Sequence, residues 1–233
     1  MTYHCEKCND TGVILYEVNG YQYAKICECQ KVRKALENAE KSGLGELLKV
    51  YTFDRFKTDY GFQKDLYNKA KEYIKDESSK WFGVFGKSGS GKSHICTAIC
   101  GELIKKGYEV RFMSWNEDSR KLKALANEKE YDDIIEPLKN AEVLYIDDFF
   151  KSENNTPPTN ADIKLANEIF NYRYNKARIG NLRLKTIISS ERTLSQLICY
   201  DEAIAGRIVE MCGEYIKVLK ANVINYRLRQ YIL

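Results

Sequence analysis

Short apolar runs recur along most of the chain, and between them apolar residues return at helical spacing. The runs predict strands at 81–85, 109–113, 142–146 and 185–188, with 215–219 as a candidate fifth. The helical spacing predicts helices at 66–74, 94–104 and 161–176, and a long polar, helical stretch over 117–139. Strands that alternate with helices favour an α/β fold, in which a parallel sheet is flanked by helices.

The N-terminal segment follows a different pattern. Strands are predicted at 13–18 and 21–26, on either side of Asn19-Gly20, which is the strongest short signal for a β-hairpin turn. A short charged helix is expected to follow at 30–41. These patterns predict a small N-terminal domain at 1–45, a linker at 46–58 and a main domain at 59–233.

The bulk composition is that of an ordinary globular chain. Its 233 residues, 44% hydrophobic and 30% charged, suffice for one well-packed domain and a small appendage. No apolar run approaches the roughly 20 residues of a membrane helix, and the first residues lack the pattern of a secretory signal. We therefore predict a cytoplasmic protein without a membrane partner. The net charge of +4 permits contact with nucleic acid but does not require it.

A glycine-rich turn follows the first apolar run of the main domain. It fits the pattern G-x-x-x-x-G-K-[ST] at every fixed position and consists of Gly86, Lys87, Ser88, Gly89, Ser90, Gly91, Lys92 and Ser93. In such a loop, backbone N–H groups surround a phosphate. We expect Lys92 to reach the β- and γ-phosphates of ATP and the Ser93 hydroxyl to bind Mg²⁺. The alternative is a flexible Gly/Ser-rich loop, which the strand before it and the helix after it disfavour.

Two acids, Asp147 and Asp148, end the predicted strand at 142–146. Ligands of parallel sheets bind at the carboxyl edge of the strands, so both carboxylates are expected near the phosphate loop. We predict that Asp147 holds Mg²⁺ directly or through water, and that Asp148 orients or deprotonates the attacking water. The alternative is a solvated strand end that happens to carry two acids.

Four of the eight cysteines lie in the N-terminal segment, as Cys5-x-x-Cys8 and Cys27-x-Cys29. The predicted hairpin brings both pairs to its open end, where four thiolates suit a tetrahedral Zn²⁺. A domain this small has little core of its own, so a metal would supply stability. The alternatives are His4 in place of one cysteine, four unliganded thiols, or a redox pair. The other cysteines lie in apolar stretches and are predicted to be buried: Cys96, Cys100, Cys199 and Cys212.

Further strings narrow the class of nucleotide-binding protein. A GTPase would carry Asn-Lys-x-Asp, but residues 175–178 lack the acid, and a small-molecule kinase usually has its phosphate loop near the N-terminus. Three strings stand out: Tyr51-Thr52-Phe53-Asp54-Arg55-Phe56, Thr186-Ile187-Ile188-Ser189-Ser190-Glu191 and Asp201-Glu202-Ala203-Ile204-Ala205-Gly206-Arg207-Ile208. With the phosphate loop and the acidic strand end, they resemble the DnaC/DnaI-like helicase loaders, especially those of prophages in low-GC bacteria, over the whole chain.

This resemblance implies an AAA+ ATPase core that self-associates, and an N-terminal domain that binds the replicative DnaB-family helicase and helps place it on single-stranded DNA. It implies that Arg207 is an arginine finger that completes a neighbour's site. The alternative is an ordinary surface arginine. It puts Ser190 at the first sensor, where Glu191 follows instead of the usual Asn. Asp148 stands where most ring ATPases have Glu, which predicts slow hydrolysis.

Basic clusters are candidates for DNA contact, either by this resemblance or because aromatic residues interleave them. They are Arg120, Lys121 and Lys123; Tyr172, Arg173, Tyr174 and Lys176; and Tyr226, Arg227 and Arg229. Each could equally be a solvated helix face or tail. Too few residues follow Arg207 for a full helical lid, so Arg227 or Arg229 is a candidate second sensor.

Three functions are therefore compared. An ATP-dependent helicase loader is the function we expect. An IstB-like transposition ATPase shares the core, but that class usually lacks an N-terminal cysteine cluster. A nucleotide-gated adaptor that scarcely hydrolyses ATP would agree with Asp148 and Glu191 in the site.

Overall fold

Residues 4–179, 184–219 and 225–231 are described by a computed structural model of the protein. Its strands are β1 (Val13–Val18), β2 (Tyr21–Ile26), β3 (Phe82–Gly86), β4 (Val110–Ser114), β5 (Val143–Asp147), β6 (Lys185–Ser190) and β7 (Ile216–Leu219). Its helices are α1 (Cys29–Lys41), α2 (Leu44–Val50), α3 (Gly61–Lys75), α4 (Lys92–Lys105), α5 (Trp115–Ala124), α6 (Glu130–Asn140), α7 (Asn160–Ile179), α8 (Leu194–Tyr200) and α9 (Glu202–Cys212). Short 3₁₀ turns lie at Phe53–Arg55, Glu153–Asn155, Gly213–Tyr215 and Tyr226–Tyr231.

The main sheet has five strands in the order β4-β5-β6-β3-β7, and every neighbouring pair is parallel. The predicted parallel α/β fold is confirmed, and so is the candidate fifth strand at the sheet edge. Because all five strands run the same way, the carboxyl ends of β3, β5 and β6 meet at one edge. No helix within the described ranges is both long and apolar enough to cross a membrane.

Both faces of the sheet are covered, which explains why the strands are continuous apolar runs rather than alternating ones. Along β5, Tyr145 enters the core beneath α3 and α4, whereas Leu144 and Ile146 enter the core beneath α5, α7 and α9. β3 divides in the same way, with Val84 on the first face and Phe85 on the second. The side chains alternate because successive residues of a strand point to opposite faces.

The predicted hairpin of β1 and β2 is confirmed as a two-stranded antiparallel sheet. Asn19 and Gly20 both have positive φ, at 53° and 82°, which a tight two-residue hairpin turn requires. Unlike the main sheet, this hairpin is covered on neither face, and Leu15 and Ile26 are 72% and 78% exposed. An isolated hairpin of this size is marginal in water, so its stability must come from its base.

The segment expected as a linker contains more structure than the sequence indicated. Residues 44–50 form α2, a 3₁₀ turn follows, and Leu48, Phe53 and Phe56 are buried in the same core as α3 and α4. Ala35 and Ala39 of α1 join this core as well. The helix that precedes the expected linker therefore packs on the main sheet, while the division into domains at 45 and 58 stays a prediction.

Other helices differ from the prediction in number and position. The stretch at 117–139 is two helices, α5 and α6, rather than one. The pattern did not indicate α8 and α9, although each begins with a capping side chain. Thr193 accepts a hydrogen bond from the amide of Gln196, and Asp201 accepts one from the amide of Ile204. The predicted burial of Cys199 is wrong, because its side chain lies on the exposed face of α8.

Arg173 was a candidate for DNA contact, and the structure shows that this assignment is wrong. The side chain is fully buried, and its guanidinium donates to the carbonyl oxygens of residues 138, 139, 141 and 185 and to the hydroxyl of Thr186. Two of those carbonyls belong to the last turn of α6, where helix carbonyls have no partner within the helix. Arg173 therefore joins the end of α6 to the start of β6.

Replacement of Arg173 by Met should lower the free energy of unfolding by about 3 kcal/mol or more, because several buried carbonyls lose their donor. Urea denaturation followed by circular dichroism measures this as a lower midpoint at unchanged slope. The matched control is Lys176→Met, one turn further along α7 and exposed, which should change stability by less than about 0.5 kcal/mol. Equal effects of the two substitutions would contradict the structural role of Arg173.

Candidate nucleotide site and cysteine cluster

The glycine-rich turn connects β3 to α4 at the carboxyl edge of the sheet. Its first residue must be glycine, because Gly86 has a φ of 124° and an added Cβ would lie 2.4 Å from the carbonyl oxygen of Leu219. α4 begins with no side-chain cap, so the amide groups of its first turn point towards the loop without a side-chain acceptor. Such amides, at the positive end of the helix dipole, favour a bound phosphate.

Lys92, the lysine of this loop, is buried and folded back on its own backbone. Its Nζ donates to the carbonyl oxygens of Gly86 and Lys87 at 2.8 and 2.9 Å. Burial lowers the pKa of Lys92. The ammonium group is thus held at the loop by neutral acceptors, which a charged phosphate oxygen can replace with a stronger bond.

The structure brings Ser93 and Asp147 together, as the sequence predicted for magnesium ligands. The Ser93 hydroxyl donates to Asp147 Oδ1 at 2.9 Å. The same oxygen accepts from the Tyr145 hydroxyl at 2.7 Å and from the Ser189 hydroxyl. Hard oxygen ligands of this kind fit Mg²⁺. Sequence reasoning missed Ser189, whose only signal was its place at the end of the strand beside β5.

Asp148 is held in an ion-paired cluster beside this pair. Its carboxylate lies 2.8 Å from Lys151 Nζ, which also lies 3.4 Å from a carboxylate oxygen of Glu191. Although burial opposes it, a hydrogen bond with Ser88 and the charges of Lys151 and Lys92 lower the pKa of Glu191. Sequence reasoning missed Lys151, because nothing in its local string marks it.

One cleft of about 300 Å³ is lined by Lys92 and Ser93 together with Asp148, Lys151 and Glu191. Its other end is formed by the rings of Tyr51, Phe56 and His94, which pack against one another. The C-terminal segment also reaches the cleft: the amide of Tyr226 donates to the carbonyl of Gly89 at 2.9 Å, and Arg227 follows in the lining. Of the two candidates for a second sensor, Arg227 is thus placed at the cleft, while the side chain of Arg229 is outside the described part of the structure.

Two predicted site residues lie elsewhere. Ser190 is buried, and its hydroxyl donates to the carbonyl of Phe149 at 2.6 Å rather than facing the cleft. Arg207 lies on α9, with its guanidinium carbon 5.7 Å from the centre of the Tyr174 ring. Its Nη1 is buried and has no hydrogen-bond partner among the described residues. Neither residue touches the phosphate loop of its own chain within the described contacts.

The four N-terminal cysteines form one buried cluster at the base of the hairpin, with all sulfur atoms within 4.8 Å of one another. The Sγ atoms of Cys5 and Cys27 are 3.7 Å apart, and those of Cys8 and Cys29 are 3.4 Å apart. A Zn²⁺ bound by four thiolates at about 2.3 Å has sulfur–sulfur distances of about 3.8 Å, so the cluster fits this ion. His4 instead contacts Asp10, with 2.6 Å between its Nδ1 and a carboxylate oxygen.

The pKa values of two thiols in this cluster are shifted in opposite directions. Although burial opposes it, the hydrogen bond from the Gly12 amide lowers the pKa of Cys8 to about 7. Burial and the neighbouring sulfur atoms raise the pKa of Cys29 to about 12. Neighbouring thiolates repel one another, and a divalent metal bound between them would remove this repulsion and favour their ionised form.

A phosphate loop between a strand and a helix, with a serine and an aspartate joined at the sheet edge, defines a P-loop nucleotide-binding protein. A profile of the IstB-like ATP binding protein family matches residues 35–232. The chain belongs to this IstB/DnaC-like family of ATP-binding proteins. The match begins within α1 and leaves the cysteine cluster outside it.

Two curated relatives are similar to the chain in sequence, and one solved structure is similar to it in fold. The phage-like element PBSX protein XkdC of Bacillus subtilis (strain 168) is 34% identical over 242 residues, which cover 97% of this chain and 86% of that protein. The replicative helicase loader DnaC of Escherichia coli (strain K12) is 27% identical over 126 residues, covering 51% of this chain and 50% of DnaC. A crystal structure of the DnaC helicase loader has a TM-score of 0.62 at 22% identity, covering 73% of this chain and 97% of that chain. The expected resemblance and the AAA+ fold are confirmed.

The purified protein should contain about one Zn²⁺ per chain by elemental analysis. Cys29→Ser should reduce this to a small fraction and expose the hairpin to hydrogen exchange, because the cluster forms the buried base of the hairpin. Cys199→Ser, at the exposed cysteine of α8, is the control and should keep the metal. A metal-free protein with a protected hairpin would show that the four thiols suffice without an ion.

Proposed function

We propose that this protein is an ATP-dependent helicase loader, which binds a DnaB-family replicative helicase and delivers it to single-stranded DNA. The observation that carries the proposal is the combination of a complete phosphate-loop site with an uncovered, cysteine-based hairpin in one chain. The likeness to XkdC, which extends over both parts, and the likeness of the ATPase core to DnaC support it.

The proposed ATPase chemistry rests on residues already in place around the cleft. Lys92 would exchange its backbone acceptors for phosphate oxygens, and Ser93 with Asp147 would hold Mg²⁺, which neutralises phosphate charge when bound. Asp148, next to Asp147 at the strand end, would orient or deprotonate the attacking water. The carboxylate of Asp148 is paired with Lys151, so it is not free to act in this conformation, which agrees with slow hydrolysis.

Arg207 is proposed to act on a neighbouring subunit. It lies outside its own cleft, and its Nη1 is a buried donor with no acceptor in the described part of the chain. Burying a guanidinium donor without a partner costs free energy, so a movement of the side chain that brings this donor to an acceptor on another molecule would be favourable. A γ-phosphate oxygen in a neighbour's site is such an acceptor, and self-association would then be required for turnover.

Arg207→Ala should lower ATP turnover at least ten-fold while leaving the affinity for ATP nearly unchanged, because the arginine would act on the transition state of a neighbour. Arg178→Ala is a closely matched control, since its guanidinium carbon lies 5.4 Å from the same Tyr174 ring. Turnover per chain should rise with protein concentration in the wild type and in Arg178→Ala, but not in Arg207→Ala. Equal turnover of both variants, or loss of ATP binding by Arg207→Ala, would overturn the assignment.

The hairpin is the proposed surface for the helicase. Leu15 and Tyr21 are 72% and 70% exposed, on opposite faces of the hairpin, and Tyr16 stacks on Tyr23 at 5.6 Å. Aromatic and aliphatic side chains on a rigid support are typical of protein–protein interfaces. The charges around them are balanced rather than basic, which favours a protein partner over nucleic acid.

Single-stranded DNA is proposed to meet the ATPase core through backbone contacts. In the basic cluster at 120–123, Lys123 already pairs with Asp162 at 2.5 Å, and Lys121 lies 3.6 Å from Asp118. In the basic cluster at 172–176, Lys176 is exposed and its Nζ lies 5.5 Å from the centre of the Tyr172 ring. Contacts of this kind would bind DNA weakly, without sequence preference and with strong salt dependence.

A transposition ATPase is the second candidate, because residues 35–232 match the family of IstB-like ATP binding proteins. That match starts at residue 35, after the cysteine cluster, whereas the likeness to XkdC covers 97% of the chain. The N-terminal module is thus the part that separates the two candidates. The protein that binds this module therefore distinguishes a helicase loader from a transposition ATPase.

Size-exclusion chromatography with ATP and Mg²⁺ should show co-elution of the full chain with a DnaB-family helicase. Leu15→Asp should abolish the complex, because a charge would be buried in an apolar contact. Ile179→Asp is the control, since Ile179 is 83% exposed but lies on α7 of the core. Truncation before Cys29 removes the hairpin while α1 stays on the main core, and it should give the same loss.

Two results would contradict the helicase assignment. If neither the full chain nor the controls bind the helicase while ATP binding is intact, the transposition ATPase becomes the better candidate. If Leu15→Asp and Ile179→Asp both retain the complex, the helicase binds elsewhere than at the hairpin.

A further inference from the structure

Lys151 lies in the nucleotide cleft between two carboxylates. Its Nζ is 2.8 Å from Asp148 and 3.4 Å from Glu191, and the side chain remains 41% exposed to the cleft. Asp148 follows β5 and Glu191 follows β6, so the two acids come from neighbouring strands of the sheet. A cation that bridges them stabilises both, but it has a stronger acceptor available if a phosphate enters.

The backbone around Lys151 is held in place. The ammonium group can therefore leave the two carboxylates for a phosphate without movement of the loop. Phe149 and Phe150 are the buried central residues of a tight turn, and Asp148 and Phe150 have positive φ of 54° and 57°. The amide of Lys151 donates to the carbonyl of Asp148 at 2.8 Å. The side chain of Lys151 thus starts from a rigid base.

Arg192 adds a second restraint to the same loop. Arg192 is 2% exposed as a residue. Its guanidinium donates to the carbonyl of Phe150 at 3.1 Å, to both oxygens of Asn155, to the hydroxyl of Ser152 and to the carbonyl of Thr156. A buried arginine that satisfies several loop acceptors at once makes loop movement costly.

The two acids border the part of the cleft that a terminal phosphate would enter. Glu191 is hydrogen-bonded to Ser88 of the phosphate loop, and Asp148 lies next to Asp147 at the strand end. Lys92, the phosphate-binding lysine, lines the same region. Two carboxylates beside a negatively charged phosphate would repel it, so a further cation besides Lys92 and the proposed Mg²⁺ would stabilise a phosphate in this part of the site.

We propose that Lys151 is the side chain that recognises the γ-phosphate, leaving Asp148 and Glu191 for it when ATP rather than ADP is bound. Glu191 occupies the position after β6 where a neutral polar side chain was expected to do this, and Ser190 faces away from the cleft. The exchange releases Asp148 from its ion pair, so recognition of ATP and activation of Asp148 are one event. This inference rests on the proposed ATP binding and deepens it.

The test compares dissociation constants of the full chain for a non-hydrolysable ATP analogue and for ADP, both with Mg²⁺. Lys151→Met should weaken binding of the analogue about ten-fold or more and leave ADP within about two-fold, because only the analogue carries the γ-phosphate. Lys151→Arg should restore most of the selectivity. Lys105→Met, at the far end of α4 and exposed, is the control for the loss of one positive charge.

Amine acetylation read by mass spectrometry gives an independent measurement on the unmodified protein. Lys151 should be protected by the ATP analogue more strongly than by ADP, whereas Lys105 should react equally in both. Glu191→Gln should strengthen binding of the analogue several-fold, because it removes a competitor for Lys151.

The possible results distinguish an error in the assignment of Lys151 from an error in the proposed function. Equal weakening of both nucleotides by Lys151→Met, or no weakening of either, would overturn the assignment of Lys151 while leaving the ATPase proposal intact. Faster hydrolysis by Lys151→Met at unchanged affinity would also overturn it, and would make Lys151 only a restraint on Asp148. A wild-type protein that binds neither nucleotide would refute the proposed function itself.

Discussion

Burial of the parallel sheet on both faces is the constraint on which the rest of this structure depends. Helices cover the sheet on either side, so water and ligands reach the strands chiefly at their ends. At the carboxyl edge, β3, β5 and β6 deliver the phosphate loop, Asp147 and Ser189 to within hydrogen-bond distance of one another. The site is assembled by strand order, since its residues lie far apart in the sequence.

Several positively charged side chains are buried with the sheet, and they donate hydrogen bonds to main-chain carbonyls. Lys185 is fully buried in β6, and its Nζ donates to the carbonyls of Asp76 and Ser78. Arg173 and Arg192 are also buried, and each satisfies main-chain carbonyls instead of an acid. A buried charge must have such partners or it destabilises the fold. The formal charge of the chain therefore overstates what is available to nucleic acid, because these side chains cannot reach it.

This explains which parts of the fold and the site the sequence could predict. The strands were found because two-sided burial leaves continuous apolar runs, and the hairpin because Asn19-Gly20 accepts positive φ at both positions. The phosphate loop was found because its residues are contiguous. Lys151 and Ser189 were not found, because their roles depend on which strands become neighbours. Arg173 was misassigned for the same reason. An arginine between tyrosines is typical of a DNA contact, but in the folded chain its side chain is buried at the end of α6.

The cysteine cluster and the phosphate loop are joined by packed elements rather than by a flexible tether. Cys29 is both a member of the cluster and the first residue of α1. α1 contributes Ala35 and Ala39 to the core that also holds α4, and Asn38 donates to a carboxylate oxygen of Glu109 at the start of β4 at 3.1 Å. α4 in turn begins at Lys92 in the phosphate loop.

A displacement of the cluster by a partner would therefore be opposed by the core that positions the loop, since α1 cannot tilt without disturbing side chains packed at van der Waals distance. Coupling between two sites requires an element that both of them bias. α1 begins in the cysteine cluster with Cys29, and α4 begins in the phosphate loop with Lys92. Because the two helices share one core, they could carry such coupling. The cysteine cluster thus does more than support a small hairpin: through Cys29 it also holds the end of the helix by which that hairpin contacts the ATPase core.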